Sequence, residues 1–306
     1  MDSFFVGIEI GGTKIQVVTG DDRAQILDRR RYNADSALGA EGIRNQITEA
    51  LREVQAAKSM RSIGVGFGGP FNRETGRACC SHQVIGWDDF PLRQWLRDQA
   101  GGVPVNIDND ANVAALGEAR SGAGVGENTV FYVTLGSGIG GGLVIDGKVF
   151  HGALTTESEI GHVRLNMEGD TLESRCSGWA VDLRLREYAA ASPESRLAKR
   201  IEKEGGESRH WMAAIDDGDE GAAALLGDVC RELAFGLSHV VHLLNPAVII
   251  LGGGLSLVGE PLRLGVADAL GQEVMEVLRP GPIVRLAKLA EDAVPVGALH
   301  LALMGN

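Results

Sequence analysis

Two acids and two amides stand close together in Ile107-Asp108-Asn109-Asp110-Ala111-Asn112, at the head of a run from Ala111 to Ala119 that reads as a helix. Asn and Asp are favoured just before a helix, because their side chains accept the unpaired N–H groups of its first turn. A carboxylate at a helix N-terminus is also kept ionised by the helix dipole, and so can take a proton from a hydroxyl as a general base. Capping and proton transfer do not exclude one another at Asp110, and the run alone leaves both open.

Three glycine clusters follow apolar runs: Gly11-Gly12-Thr13-Lys14, Gly136-Ser137-Gly138-Ile139-Gly140-Gly141-Gly142 and Gly252-Gly253-Gly254. Without a Cβ, such a loop brings backbone N–H groups close to phosphate oxygens, and Thr13, Ser137 and Lys14 add hydroxyls and one positive charge. Each cluster by itself reads equally well as a tight turn; three in one chain point to a nucleotide site. Gly136, Gly138 and Gly141 satisfy G-x-G-x-x-G, but that motif should open a helix, and here a hairpin around Asp146-Gly147 is expected. Gly142 to Lys148 fit G-x-x-x-x-G-K, with Val149 where a P-loop needs Ser or Thr. Taken singly, Glu159 and His162 read as a surface carboxylate and a loop histidine. His239 and His242 share a helix with no third ligand in sequence reach, and read as structural.

The 306 residues are 44% hydrophobic and 23% charged, enough for two domains with cores of their own. With 41 acidic against 29 basic residues the net charge is −12, and no stripe of Lys and Arg follows a phosphate backbone, so nucleic acid is not an expected partner. The opening MDSFF begins on an acid where a secretory signal would be positive. The longest apolar run, Val240 to Leu251, is broken by His242, Asn245 and Pro246. Neither export nor membrane spanning is expected. Cys79, Cys80, Cys176 and Cys230 form no C-x-x-C pair and read as reduced thiols in a cytosol. Glycine is the anomaly, at 43 of 306 residues, about twice the usual share of ~7%.

The elements that must hold these groups follow from the patterning. Phe5 to Ile10 and Lys14 to Thr19 read as strands joined by the first glycine turn, with a third strand from Ala24 to Tyr32. Ala40, Ile43, Ile47, Ala50, Leu51 and Val54 recur at helical spacing ahead of an apolar strand, Ile63 to Phe67. After Val103 to Ile107 and the helix from Ala111, the pattern starts again with Thr129 to Leu135 and the second glycine cluster. The chain therefore reads as two strand-rich halves, each opening with a glycine turn. Helices near Gly178 to Ala191 and Gly218 to Leu244, a strand from Ala247 to Leu251 and a final helix from Ala293 to Leu303 complete it.

GIEIGGTK (Gly7 to Lys14), GVGFGGP (Gly64 to Pro70), IDNDANVAALGE (Ile107 to Glu118), TLGSGIGGG (Thr134 to Gly142), EIGH (Glu159 to His162) and NPAVIILGGGLS (Asn245 to Ser256) occur in the order found in ROK-family sugar kinases. The chain resembles that family over essentially its whole length. The resemblance implies an α/β, actin-like (ribonuclease H-like) ATPase fold of two lobes with the active site in a cleft between them. The expected division is a small lobe of residues 1–116, completed by a C-terminal helix over 292–306, and a large lobe of 117–291.

By the same resemblance, Gly11, Gly12, Thr13 and Lys14 would hold phosphates from one side and Gly136, Ser137 and Gly138 from the other, with Gly253 and Gly254 against adenosine. Glu9 stands where the family often has Asp and would orient hydrated Mg. Asn109, Asp110, Glu159, His162 and Glu173 would bind the sugar, with Asp110 as general base; such carboxylates and amides suit a polyhydroxyl ligand. The implied protein is a cytoplasmic, homodimeric, ATP-dependent hexose kinase acting on C6 of glucose, with fructose, mannose or an N-acetylhexosamine as competing sugars. A sugar-responsive regulator is the alternative, but family repressors carry a helix-turn-helix ahead of the first strand, and here that strand starts near Phe5. Polyphosphate is a further alternative donor, against which stand the acidic balance and the Gly252 to Gly254 loop. Many members bind zinc through the EIGH histidine and three cysteines in the following loop. Here Val163 to Thr171 has no cysteine, and His162 with Cys176 cannot supply four ligands, so no zinc is expected.

Overall fold

The structure, a computed structural model, describes residues 3–34, 38–55, 59–80, 84–153, 156, 158–201 and 206–304. The strands and helices are β1 (Phe4–Ile10), β2 (Lys14–Gly20), β3 (Ile26–Asn33), α1 (Gly39–Gln55), β4 (Met60–Phe67), β5 (Phe71–Asn72), β6 (Arg77–Ala78), α2 (Leu92–Gln99), β7 (Val105–Asn109) and α3 (Asp110–Ser121). There follow β8 (Thr129–Leu135), β9 (Ile139–Ile145), β10 (Lys148–Val149), α4 (Leu172–Cys176), α5 (Gly178–Ala191), α6 (Trp211–Asp216), α7 (Glu220–Leu244), β11 (Val248–Gly252), α8 (Glu260–Glu273), β12 (Ile283–Leu286) and α9 (Ala293–Leu303).

The chain divides into two compact units, residues 1–128, 142–157 and 288–306 forming one and residues 129–141 and 158–287 the other. These limits differ from the lobe boundaries expected at 116/117 and 291/292. A break at 116/117 would cut α3, a continuous helix in which a Cβ on Gly117 would lie 2.4 Å from Ala293 O. Helix α3 and the C-terminal segment are thereby held in one unit.

In the first unit the sheet runs β3-β2-β1-β4-β7. The β1–β2 and β2–β3 pairs are antiparallel hairpin neighbours, whereas β1–β4 and β4–β7 are parallel. Strand alternation sends Phe4, Val6, Ile8 and Ile10 into a core with Ile43, Ile47 and Leu51 of α1. Phe5 and Val18 join Leu299 and Ala302 of α9 in a second core. Helix α9 comes so close that a Cβ on Gly64 would stand 1.8 Å from Ala298 O, and one on Gly297 1.8 Å from Val113 O. Part of the glycine surplus thus serves helix packing, not the phosphate-type loops.

The second sheet has the order β10-β9-β8-β11-β12, with β9 and β10 antiparallel and β8, β11 and β12 parallel. This repeats the arrangement of the first sheet, so the two-halves reading of the sequence holds. In the second unit α7 starts at Glu220, because Asp219 caps it by accepting from Ala222 N, and ends at Asn245, whose φ of 44° is left-handed. Among the described residues no helix is long and apolar enough to cross a membrane.

Candidate active site

The first unit gathers the Gly11 to Lys14 turn, Glu9 and the head of α3. Gly11 N donates to Lys14 O at 3.0 Å, closing the turn between β1 and β2. Gly68 N donates to Ile10 O at 2.8 Å, which draws the loop after β4 to the same end of the sheet. A Cβ on Gly68 would lie 3.6 Å from Gly11 Cα and 3.4 Å from Asp110 Oδ2. The Asp110 carboxylate and the first glycine turn are therefore close neighbours.

Asn109, not Asp110, is the N-cap of α3: its Oδ1 accepts from Ala111 N at 2.9 Å, and Asp110 Oδ1 shares that N–H at 2.9 Å. Asn109 Nδ2 points to Gly69 O at 3.4 Å. The capping reading of the run thus falls mainly to Asn109, and Asp110 Oδ2 lies beside Gly68.

Glu9 lies directly across from Gln16 in the β1–β2 register. Gln16 is fully buried, and its Nε2 donates to Glu9 Oε2 at 2.6 Å, while its Oε1 accepts from Arg29 and Arg31 at 3.2 and 3.3 Å. An arginine can only donate, so this amide has one possible orientation and Glu9 must be the acceptor. Lys14 Nζ is 3.5 Å from Glu9 Oε1. Burial pushes the Glu9 carboxyl above its ordinary range, opposed by Lys14 and the Gln16 hydrogen bond.

The second unit brings together the other predicted groups. Gly136 N donates to Gly138 O at 2.9 Å, and Gly178 N to Gly136 O at 2.7 Å, so the head of α5 fixes the second glycine loop. The loop runs into β9, not a helix, which removes the dinucleotide reading. Glu173 of α4 closes on it: Oε2 accepts from Ile139 N at 2.8 Å, and a Cβ on Gly138 would fall 2.5 Å from that oxygen. The Glu159 to His162 segment ends in a 3-10 turn over Ile160–His162 and lies on the same strand start, where a Cβ on Gly161 would be 2.3 Å from Ile139 O. The Glu159 and His162 side chains are both exposed. Gly253, at a φ of 79°, presses on Leu135 with its Cβ position 2.6 Å from that backbone, and Gly254 meets nothing within 4 Å. Gly136, Ser137, Gly138, Glu159, His162, Glu173, Gly253 and Gly254 thus cluster around the adjoining ends of β8, β9 and β11.

The expectation about zinc concerns His162 and Cys176. His162 is exposed, whereas Cys176 is buried with its Sγ 3.7 Å from Glu232 Oε2 and 4.0 Å from Val229 O. Glu232 also accepts from Arg175 and Arg184, each at 2.6 Å. His239 stacks edge-on with Phe235, and His242 Nε2 accepts from Met275 N at 3.1 Å. Sequence reasoning passed over Gln16 and Asp108. Gln16 was findable as the residue opposite Glu9 across a tight hairpin; Asp108 stood in plain view within its run. The His151 side chain that reaches Asp108 comes from 43 residues away and carried no local signal.

A family model described as the ROK family matches residues 5–304. The chain is 31% identical to a glucokinase of Halalkalibacterium halodurans, over 97% of this chain and 94% of that protein. It is 30% identical to a glucokinase of Thermotoga maritima, over 97% and 96%. The crystal structure of a ROK family glucokinase from Streptomyces griseus, in complex with glucose and AMPPNP, matches it with a TM-score of 0.83 at 29% identity, covering 99% of this chain and 100% of that one. The chain belongs to the ROK family and has its actin-like ATPase fold.

Proposed function

We propose that this chain is an ATP-dependent hexose kinase, with C6 of glucose the first-ranked acceptor and Asp110 the general base. In the reaction Asp110 Oδ2 takes the hydroxyl proton, the freed oxygen bonds to the γ-phosphorus, and the bond from that phosphorus to ADP breaks. Phosphoryl transfer asks the protein mainly for alignment and charge stabilisation, so the base must stand beside the phosphate loop. The observation that carries the reading is the proximity of Asp110 Oδ2 and Gly11 at Gly68. The glucose and AMPPNP bound by the Streptomyces griseus relative support the choice of both substrates.

In this reading Gly11, Gly12, Thr13 and Lys14, with Gly136, Ser137 and Gly138, bind phosphates, and Gly253 and Gly254 bind adenosine. Asn109, Glu159, His162 and Glu173 bind the sugar. Glu9 offers a single carboxylate, which suits magnesium held through its waters, since that ion takes oxygen ligands and keeps several waters. Gln16 holds Oε2, and the Glu9 carboxylate would orient the hydrated ion near the phosphates. When bound, the ion neutralises charge on the transferred group. A cytoplasmic homodimer belongs to the same proposal, on the strength of the family resemblance.

The test is a panel of glucose, fructose, mannose and N-acetylhexosamines with ATP, the products read by phosphorus NMR. A hexose 6-phosphate from glucose is expected. Phosphate release with no sugar phosphate from any hexose would defeat the reading.

A further inference from the structure

Asp108 is 2% exposed, and its two oxygens are divided between two tasks. Oδ1 accepts from Asn109 N at 2.8 Å and from Asn112 Nδ2 at 3.0 Å. Oδ2 meets His151 Nε2 at 2.5 Å, and Arg73 Nη1 stands 4.0 Å from Oδ1. The groups held by Oδ1 bracket Asp110 in the chain, one on the residue before it and one in the first turn of α3. A carboxylate used in this way needs a donor on its other oxygen, and the contact selects the His151 tautomer with the proton on Nε2.

We infer that Asp108 and His151 form a positioning pair for the proposed base, with His151, from the loop after β10, locking the Asp108 carboxylate that fixes the Asn109–Asn112 turn. The inference rests on the reading of Asp110 as the base. Neither side chain need touch the sugar. Without His151, the buried Asp108 would turn towards other donors and loosen its hold on the Asn109 N–H and the Asn112 amide. Asp110 would then lose alignment, and small displacements of a reacting group cost large factors in rate.

His151 is well exposed for a residue that serves a buried carboxylate, at 38% of its side chain, so its replacement leaves the cores intact. The test compares the full chain with His151→Ala, His151→Gln and Asp108→Asn. His151→Ala is expected to lower kcat for hexose phosphorylation about 10-fold or more, with hexose KM changed far less. His151→Gln, which keeps an N–H donor, should recover most of the loss, whereas a purely structural role would give no such split. A readout independent of activity is amide hydrogen exchange in the peptide spanning residues 107–113, which should quicken in His151→Ala and return towards wild type in His151→Gln. A kcat within about 2-fold of wild type in His151→Ala, or unchanged exchange in that peptide, would overturn the inference. If wild type phosphorylates no hexose, the functional reading fails by itself, and the exchange result still decides whether the pair holds this turn.

Discussion

Gly138 and Glu173 are fitted to one another: the carboxylate that accepts from Ile139 N occupies the space a Cβ would need. Gly138→Ala should therefore displace Glu173 and act like Glu173→Ala. Each is expected to raise the hexose KM by ~10-fold or more, the scale of losing a hydrogen bond to a charged group. Steady-state kinetics of both variants check this, and a Gly138→Ala enzyme with normal KM would separate the two residues. The groups of this half were legible because they sit in contiguous runs whose residue types suit phosphate or a polyol. What could not be read was partnership across the fold. Gln16 fixes Glu9 and His151 reaches Asp108 through contacts set by strand register and by a loop 43 residues from its partner. Asn109's part as the cap of α3 was foreseeable for the run, but only backbone geometry assigns it to Asn109 over Asp110.

Helix α9 shows the same limits for a whole element. Its span was legible from a continuous apolar pattern between Ala293 and Leu303, and the structure has those bounds. Its burial on several sides, against the sheet and α3, was not, because glycines chosen for close approach look in sequence like glycines chosen for loops. Gly64→Ala or Gly297→Ala would drive a Cβ to 1.8 Å from a carbonyl oxygen that belongs to backbone and cannot swing aside. A loss of ~3 kcal/mol or more is expected, seen as a large fall in Tm or in soluble yield. The same helix carries His300, buried beside Ser121 with Nε2 2.7 Å from its Oγ. Burial first, and Arg120 second, lower this imidazole from 6.5 to about 4. Between those values the unfolded chain binds the proton more readily than the folded one, so the His300 contribution is complete above 6.5 and is lost as pH falls towards 4. The contribution is on the order of 3 kcal/mol. Denaturant unfolding at pH 7 and pH 5 should show a smaller pH dependence for His300→Gln than for wild type. Equal slopes would mean that His300 is not kept neutral by the fold.

At the scale of the whole chain, two sheets of the same strand order, each opening with a glycine turn, were legible as a repeat because the alternation of apolar residues starts anew at Thr129. The limits of the compact units were not, since they depend on where α9 and residues 142–157 pack. A sugar bound by the folded chain and not by the unfolded one raises stability by mass action, by about 2.7 kcal/mol at 100 times its Kd. Thermal unfolding with each hexose should therefore rank the acceptors, with glucose giving the largest rise in Tm; no rise with any hexose would remove the sugar from the account. Light scattering of the purified chain is expected to give twice the 32.3 kDa monomer mass, and a monomer would remove the dimer. The most direct test of the central claim is the rate of the chemical step in Asp110→Asn, measured by single-turnover phosphoryl transfer from ATP to glucose. The account predicts a fall of at least ~10²-fold with glucose still bound, and a rate near that of wild type would contradict it.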